Sequence, residues 1–105
     1  MQVQVNSNSS IAMNAEMGRV VEAGVNKALE QFGDRVTRVE VHLSDVNGEK
    51  SGARDKNCLM EARPAGQDPV IVTNQAETLE EAVAGALQKL QKRLRSLFGR
   101  WEDRT

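Results

Sequence analysis

The chain of 105 residues is short of aromatic residues and of cysteine. Aromatic residues make up 3% of it, namely Phe32, Phe98 and Trp101, and tyrosine is missing. We therefore expect an aliphatic core, and the sequence does not favour a platform of exposed rings that stacks unpaired bases. The single cysteine, Cys58, cannot form an intrachain disulfide, which fits the reducing environment of the cytoplasm.

Long apolar runs and dense groups of metal ligands are also missing. No stretch approaches the ~20 apolar residues of a membrane span, and the first residues lack the basic and apolar segments of a signal peptide. One cysteine and one histidine cannot form a closed zinc site. Gly48 and Gly52 lack the Lys-Ser/Thr pair and the helix that follow a phosphate-binding loop. We therefore expect a cytoplasmic protein with no membrane partner, no metal, no cofactor and no small-molecule substrate.

The rest of the composition is typical of a folded protein. Hydrophobic residues make up 39% and charged residues 28% of the chain, which excludes a disordered protein. The length predicts one domain at residues 1–100 with a modest core, followed by a polar tail at residues 101–105. The formal net charge is −1, so support for nucleic-acid binding has to come from the distribution of the charges.

Hydrophobic periodicity predicts a β-α-β-β-β-α order of elements. Apolar residues alternate with polar ones in the strands and recur at three- and four-residue steps in the helices. Because the first helix supplies a crossover, we expect the first two strands to be parallel neighbours and the later strands to be antiparallel. Both helices should lie on one face of a four-stranded mixed sheet, as an α+β two-layer sandwich. The predicted strands are at residues 1–6, 35–45, 55–63 and 70–73, and the predicted helices at residues 14–32 and 78–100.

Residues at the helix ends carry capping signals. Ser10 or Asn14 is suited to cap the first helix, and Gly33 lies where a left-handed residue ends it. Thr78 and Glu81 form a capping box, in which the Thr78 side chain accepts from the Glu81 amide and the Glu81 side chain reaches back.

The last helix carries its charges on separate parts of its surface. Its acids, Glu80 and Glu81, lie in its first turn, and residues 82–100 contain no acid. A positive helix face usually contacts something negative, which predicts RNA phosphates as the partner. The alternative is a solvated face whose positive charges favour the negative end of the helix dipole. The predicted RNA-binding residues are Lys89, Lys92, Arg93, Arg95 and Arg100, of which all but Arg95 share one flank, together with Arg19 and Lys27 on the first helix.

Other polar residues have simpler interpretations. Arg35 and Arg38 could widen the basic surface, or be ordinary surface charges. His42 could be a general base or half of a nucleophile pair with Cys58. No flanking residue supports either role, so we expect an exposed strand histidine, a buried cysteine and no catalytic activity.

Several of these segments resemble one known family. The strings are the first strand at residues 1–5, the strand at residues 39–44 that ends in Leu-Ser, and the pairs Ala-Val, Lys-Leu and Arg-Leu within residues 82–95. In their order and spacing they are similar to the ribosome hibernation-promoting factors, also called ribosome-associated inhibitors or sigma-54 modulation proteins. The resemblance covers roughly residues 1 to 100.

The resemblance implies a partner and a way of acting. A member of this family is expected to bind rRNA of the small ribosomal subunit between its head and body, where messenger and transfer RNA pass. It would thereby inhibit translation under stress or in stationary phase, and be a monomer when free. The small subunit, the assembled ribosome and a free RNA all fit as targets. The alternative is a protein-interaction module of the same fold that does not bind RNA.

Overall fold

The fold is a four-stranded sheet with two helices packed against it. A computed structural model of the chain describes residues 1–8, 15–45 and 56–103, with side chains up to residue 99. The elements are β1 (Gln2–Ser7), α1 (Ala15–Leu29), a 3-10 helix (Glu30–Arg35), β2 (Val36–Asp45), β3 (Lys56–Pro64), β4 (Val70–Ala76) and α2 (Leu79–Asp103).

The order of the strands in the sheet is the same as their order along the chain, β1-β2-β3-β4. β1 runs parallel to β2 because α1 carries the chain back across the sheet. β2 and β3 are antiparallel, and so are β3 and β4. The predicted α+β sandwich with a mixed sheet is therefore confirmed, and β1 and β4 are its two edges.

One face of the sheet is covered by the helices and the other is open. In β2, Val39, Val41 and Leu43 are buried beneath the helices, and Arg38, Glu40 and His42 alternate with them on the open face. Val36 is also buried, although a simple alternation with Val39 would place it on the open face. A register shift between Val36 and Arg38 resolves this difference, because a bulge changes which face the following residues occupy.

The end of the first helix differs from the prediction. The α-helix stops at Leu29, and the chain continues as a 3-10 helix to Arg35. Gly33 has φ 55 and ψ −132, so the predicted positive φ is present, but the conformation is not left-handed helical. It is the mirror image of the first central position of a type II turn, which strongly favours glycine. The proposed caps, Ser10 and Asn14, lie outside the described residues.

The start of α2 confirms half of the predicted capping box. The Glu81 amide donates to Thr78 Oγ1 at 3.1 Å, as predicted. The Glu81 carboxylate, however, accepts from the Thr78 hydroxyl at 3.0 Å instead of from the Thr78 backbone. The hydroxyl thus both donates and accepts, which fixes the first turn of the helix.

Two elements are longer than predicted. β4 continues to Ala76 and α2 continues to Asp103. The extra residues of β4 pair with β3, Asn74 with Cys58 and Ala76 with Lys56. The division into a domain at residues 1–100 and a tail at 101–105 stays a prediction. The helical backbone of α2 crosses that boundary.

Candidate nucleic-acid interface

The two flanks of α2 have different neighbours. The helix packs on β3 and β4 through a buried stripe that includes Leu90 and Leu94. On one flank, Gln91 Nε2 donates to the backbone oxygen of Ala28 at 2.9 Å, so this side faces α1. On the other flank, Lys89 Nζ donates to the backbone oxygen of Thr73 at 2.8 Å. The second flank therefore lies against the outer edge of β4.

None of the described strands pairs with that outer edge. In an antiparallel ladder, successive residues direct their N–H and C=O groups alternately to the two sides of the strand. Since the Thr73 carbonyl accepts from Lys89, Thr73 directs its groups outward, and Ile71 and Gln75 share this orientation by their spacing. Lysine beside an edge strand is a common obstacle to pairing with another chain. Lys89 has this position on β4.

A groove of about 560 Å³ runs between the strand and the helix. Val72 and Ile71 supply its apolar lining, and Ile71 is 51% exposed although it is a large apolar residue. The groove is lined by Ile71, Val72 and Thr73 from β4 and by Lys89, Lys92, Arg93 and Ser96 from α2.

Among the described side chains, the charges on this flank have no carboxylate partners. Lys89, Lys92 and Arg93 are exposed, and none of the ion pairs among the described side chains involves a cation of α2. Glu80 and Glu81 lie in the first turn of the helix, Glu102 and Asp103 lie at its end, and residues 82–101 between them contain no acid. The groove is therefore electropositive, and Lys92 and Arg93 are available to an anionic ligand.

The structure brings together only part of the predicted site. Lys89, Lys92 and Arg93 line the groove. Arg95 is exposed but is not among the residues that line it. The side chain of Arg100 lies outside the described residues. RNA contact by any of these residues stays a prediction.

The two predicted residues of α1 are separate from the groove. Arg19 and Lys27 are exposed on α1, and α1 adjoins the opposite flank of α2. An RNA that reaches them has to extend across α2. Their role also stays a prediction.

Two other cations, Arg35 and Arg38, have structural partners. The Arg35 guanidinium lies over the Phe98 ring, 4.6 Å from its centre. Arg38 Nη2 donates to Gln4 Oε1 at 2.7 Å and to Glu40 Oε1 at 3.2 Å on the open face. Arg35 and Arg38 therefore have contacts within the fold, and their part in a basic surface stays a prediction.

Lys56 lies outside the groove. Lys56 pairs with Asp45 at 2.9 Å, where β3 begins beside the end of β2. Lys50 and Arg54, like Gly48 and Gly52, lie outside the described residues.

The arrangement of His42 and Cys58 gives no support to a catalytic pair. Cys58 is fully buried under the helices, whereas His42 is exposed on the open face. Burial raises the pKa of the Cys58 thiol to about 12, which keeps it protonated and unreactive at neutral pH. Both residues thus have the simpler roles that the sequence predicts.

Sequence reasoning missed the strand side of the groove. Ile71 and Thr73 line it, and neither of them carries a charge that would attract attention. One signal was present in the sequence: Ile71 alternates with Val70 and Val72, so it had to face away from the core as an exposed apolar residue.

The fold and the site can be compared with known proteins. A family model described as sigma 54 modulation protein / S30EA ribosomal protein matches residues 4–101. The chain belongs to this family. The resemblance noted in the sequence is confirmed, and by its description the family is associated with the ribosome. No curated protein matches the sequence.

Two solved structures have the same fold. One is a ribosomal subunit interface protein from Coxiella burnetii, at a TM-score of 0.70 and 12% identity, covering 94% of this chain and 99% of the other. The second is the N-terminal domain of Protein Y from Thermus thermophilus, at a TM-score of 0.73 and 14% identity, covering 92% of this chain and 99% of the other. At such identities the likeness concerns the fold.

The described residues show few features of other kinds of site. None of the helices in this part of the chain is long and apolar enough to cross a bilayer. Within the same residues, no three His, Cys, Asp or Glu side chains gather as metal ligands would. The electropositive groove is the feature that stands out.

Proposed function

We propose that the protein binds the small ribosomal subunit through rRNA phosphates and inhibits translation by occupying the channel that messenger and transfer RNA need. It acts in the cytoplasm as a monomer and makes or breaks no bond. Family membership supports the ribosome as the partner. The observation that carries the proposal for the site is that Lys92 and Arg93 are exposed beside a groove and, among the side chains that the structure describes, are not paired with carboxylates.

The physical basis is the release of counterions. Each lysine or arginine that meets a phosphate releases condensed cations, so the free energy of binding depends steeply on salt. Arginine also donates two parallel hydrogen bonds to one phosphate. Contacts of this kind recognise the backbone and shape of RNA rather than its sequence.

A competition experiment tests the occlusion. Purified small subunits are incubated with labelled messenger RNA and increasing amounts of the protein, and retained label is measured on a filter. We expect the protein to displace the messenger RNA, and a variant with Lys92→Gln and Arg93→Gln to do so at a much higher concentration. Simultaneous binding of the protein and the messenger RNA would contradict occlusion.

A second candidate is a protein-interaction module that does not bind RNA. It is favoured by an apolar cleft of about 250 Å³ between α1 and the start of α2. Val20 lines this cleft and is 65% exposed. Binding to ribosomes that hardly changes with salt, and is lost on Val20→Asp, would favour this candidate over the first.

A further inference from the structure

The groove beside β4 combines positive charge with an exposed apolar side chain. Lys92 and Arg93 line its helix side, and Ile71, at 51% exposure, lines its strand side at the outer edge of β4, with its side chain on the open face of the sheet, so a ligand that contacts both sides extends around this edge. We propose that this groove is a binding site for an unpaired RNA strand, with phosphates on Lys92 and Arg93 and a ribose or base packed on Ile71. This inference rests on the proposed function and specifies the class of RNA that this site takes.

A duplex fits this lining poorly. In A-form RNA the base faces are stacked inside, and the outer surface consists of phosphates and ribose hydroxyls. A duplex laid on Lys92 and Arg93 would cover Ile71 with charged backbone, so the apolar surface would gain no apolar partner. An unpaired nucleotide presents phosphate and a free base face together, which matches both kinds of lining.

An acidic peptide fits less well than RNA. A peptide that adds a strand to β4 needs the outward backbone groups of that strand. The Thr73 carbonyl already accepts from Lys89 Nζ at 2.8 Å, and this contact has to break before a peptide pairs there. RNA phosphates bind the cations of the helix without displacing Lys89.

The size and the surroundings of the groove agree with one or two nucleotides. Its volume of about 560 Å³ lies within the usual range for small-ligand sites. Beyond it, towards the start of α2, the surface next to Gln75 includes Glu77 and Glu81. These carboxylates repel phosphate, so we expect the strand to avoid the start of α2.

The test compares unpaired and paired RNA on the same protein. The probe is a fluorescent RNA of about ten nucleotides, alone or annealed to its complement, and binding is followed by anisotropy at several KCl concentrations. The variants are Ile71→Thr, which keeps a β-branched side chain, and Ile71→Val, which keeps the apolar character. Val20→Thr is the matched control, because Val20 is also an exposed apolar residue but lies on α1. Thermal unfolding checks that each variant is folded.

The expected results distinguish the apolar contact of Ile71 from the charge of Lys92. Ile71→Thr should weaken binding of the unpaired strand about fivefold, from the lost apolar contact, and leave binding of the duplex unchanged. Its salt dependence should equal that of the wild type, whereas Lys92→Gln should lower the slope of log affinity against log salt by about 1. Ile71→Val and Val20→Thr should bind as the wild type does.

Three outcomes would overturn the inference. If Ile71→Thr is neutral while Lys92→Gln weakens binding, the flank contacts RNA but the apolar subsite does not exist. If the wild type binds duplex and single strand equally, and each variant weakens both equally, the groove does not select unpaired RNA. If the wild type binds neither RNA but binds an acidic peptide, the proposed function fails together with this inference.

Discussion

The contact between Asn74 and Gly85 gives a prediction about Gly85→Ala. This substitution should be neutral or destabilising in the wild type and stabilising in a variant that lacks the Asn74 side chain. Asn74 Nδ2 donates to the backbone oxygens of Glu81 at 3.4 Å and Ala82 at 3.2 Å, and so joins β4 to the start of α2. A Cβ at Gly85 would overlap the Asn74 side-chain amide. α2 therefore has a glycine at the position where the Asn74 side chain of β4 comes closest to the helix backbone.

The magnitude follows from two opposing effects of Gly85→Ala. Alanine in a helix interior is favoured over glycine by about 1 kcal/mol. Displacing Asn74 costs its two long hydrogen bonds and its packing, together about 1–2 kcal/mol. We therefore expect Gly85→Ala to be between neutral and about 1 kcal/mol destabilising in the wild type. When Asn74→Ala has removed the obstacle, the same change should stabilise by about 1 kcal/mol.

The assay is a double-mutant cycle. Urea unfolding of the four proteins, followed by circular dichroism, gives a coupling free energy, which we expect to be about 1–2 kcal/mol. Gly24→Ala is a suitable control, because a Cβ at that helix position has nothing within 4 Å. Gly24→Ala should raise the free energy of unfolding equally in the wild type and in Asn74→Ala. If Gly85→Ala stabilises equally in both backgrounds, the reasoning about this contact is refuted.

Three further predictions concern the core, the cap and the thiol. Phe98→Ala should lower the free energy of unfolding by about 3–5 kcal/mol, because Phe98 is buried and its ring centre lies 5.5 Å from that of Phe32. Thr78→Ala should cost about 1 kcal/mol, because it removes the acceptor of the Glu81 amide. Cys58 has its pKa raised from 9.0 to about 12, so its contribution to stability is complete below pH 9.0 and is lost as the pH rises towards 12.

These three predictions have their own controls. Phe98→Leu keeps apolar volume and should lose much less than Phe98→Ala; equal losses would contradict the packing of the two rings. Thr78→Ser keeps the hydroxyl and should unfold like the wild type in urea. The stability of wild type relative to Cys58→Ala should fall as the pH rises above 9.0, and a constant difference would show that burial of the thiol does not perturb it.

The sequence predicted which face a strand residue occupies better than where the strand ends. Alternation from Arg38 to Ser44 is a local property, because successive side chains point to opposite faces whatever the partner strand is. The residue at which β4 ends is not determined by local sequence. Asn74 and Gln75 have little tendency to form strands, and their pairing with β3 holds them in the sheet. A prediction from the sequence therefore stopped β4 at Thr73.

The candidate site also has some features that depend on local sequence and others that depend on how the elements pack. Helical periodicity placed Lys89, Lys92 and Arg93 on one flank of α2, because angular position depends only on spacing. The neighbour of that flank depends on how the helix lies over the sheet, so Ile71 and Thr73 could not be assigned to the groove. For the same reason, the contact of Arg35 with Phe98 was not foreseen, since it joins residues far apart in the chain.

The central claim is that the cations beside β4 bind rRNA phosphates, and co-sedimentation with small subunits across a series of salt concentrations tests it most directly. The test variant carries Lys92→Gln and Arg93→Gln. The control carries Gln2→Glu and Gln31→Glu, which lower the net charge equally at exposed positions outside α2 and outside the groove.

The account predicts that the test variant binds more weakly and that its slope of log affinity against log salt is smaller by about 2, from two lost phosphate contacts. The control should keep the slope of the wild type. Equal affinities and equal slopes for wild type, test variant and control would contradict the claim.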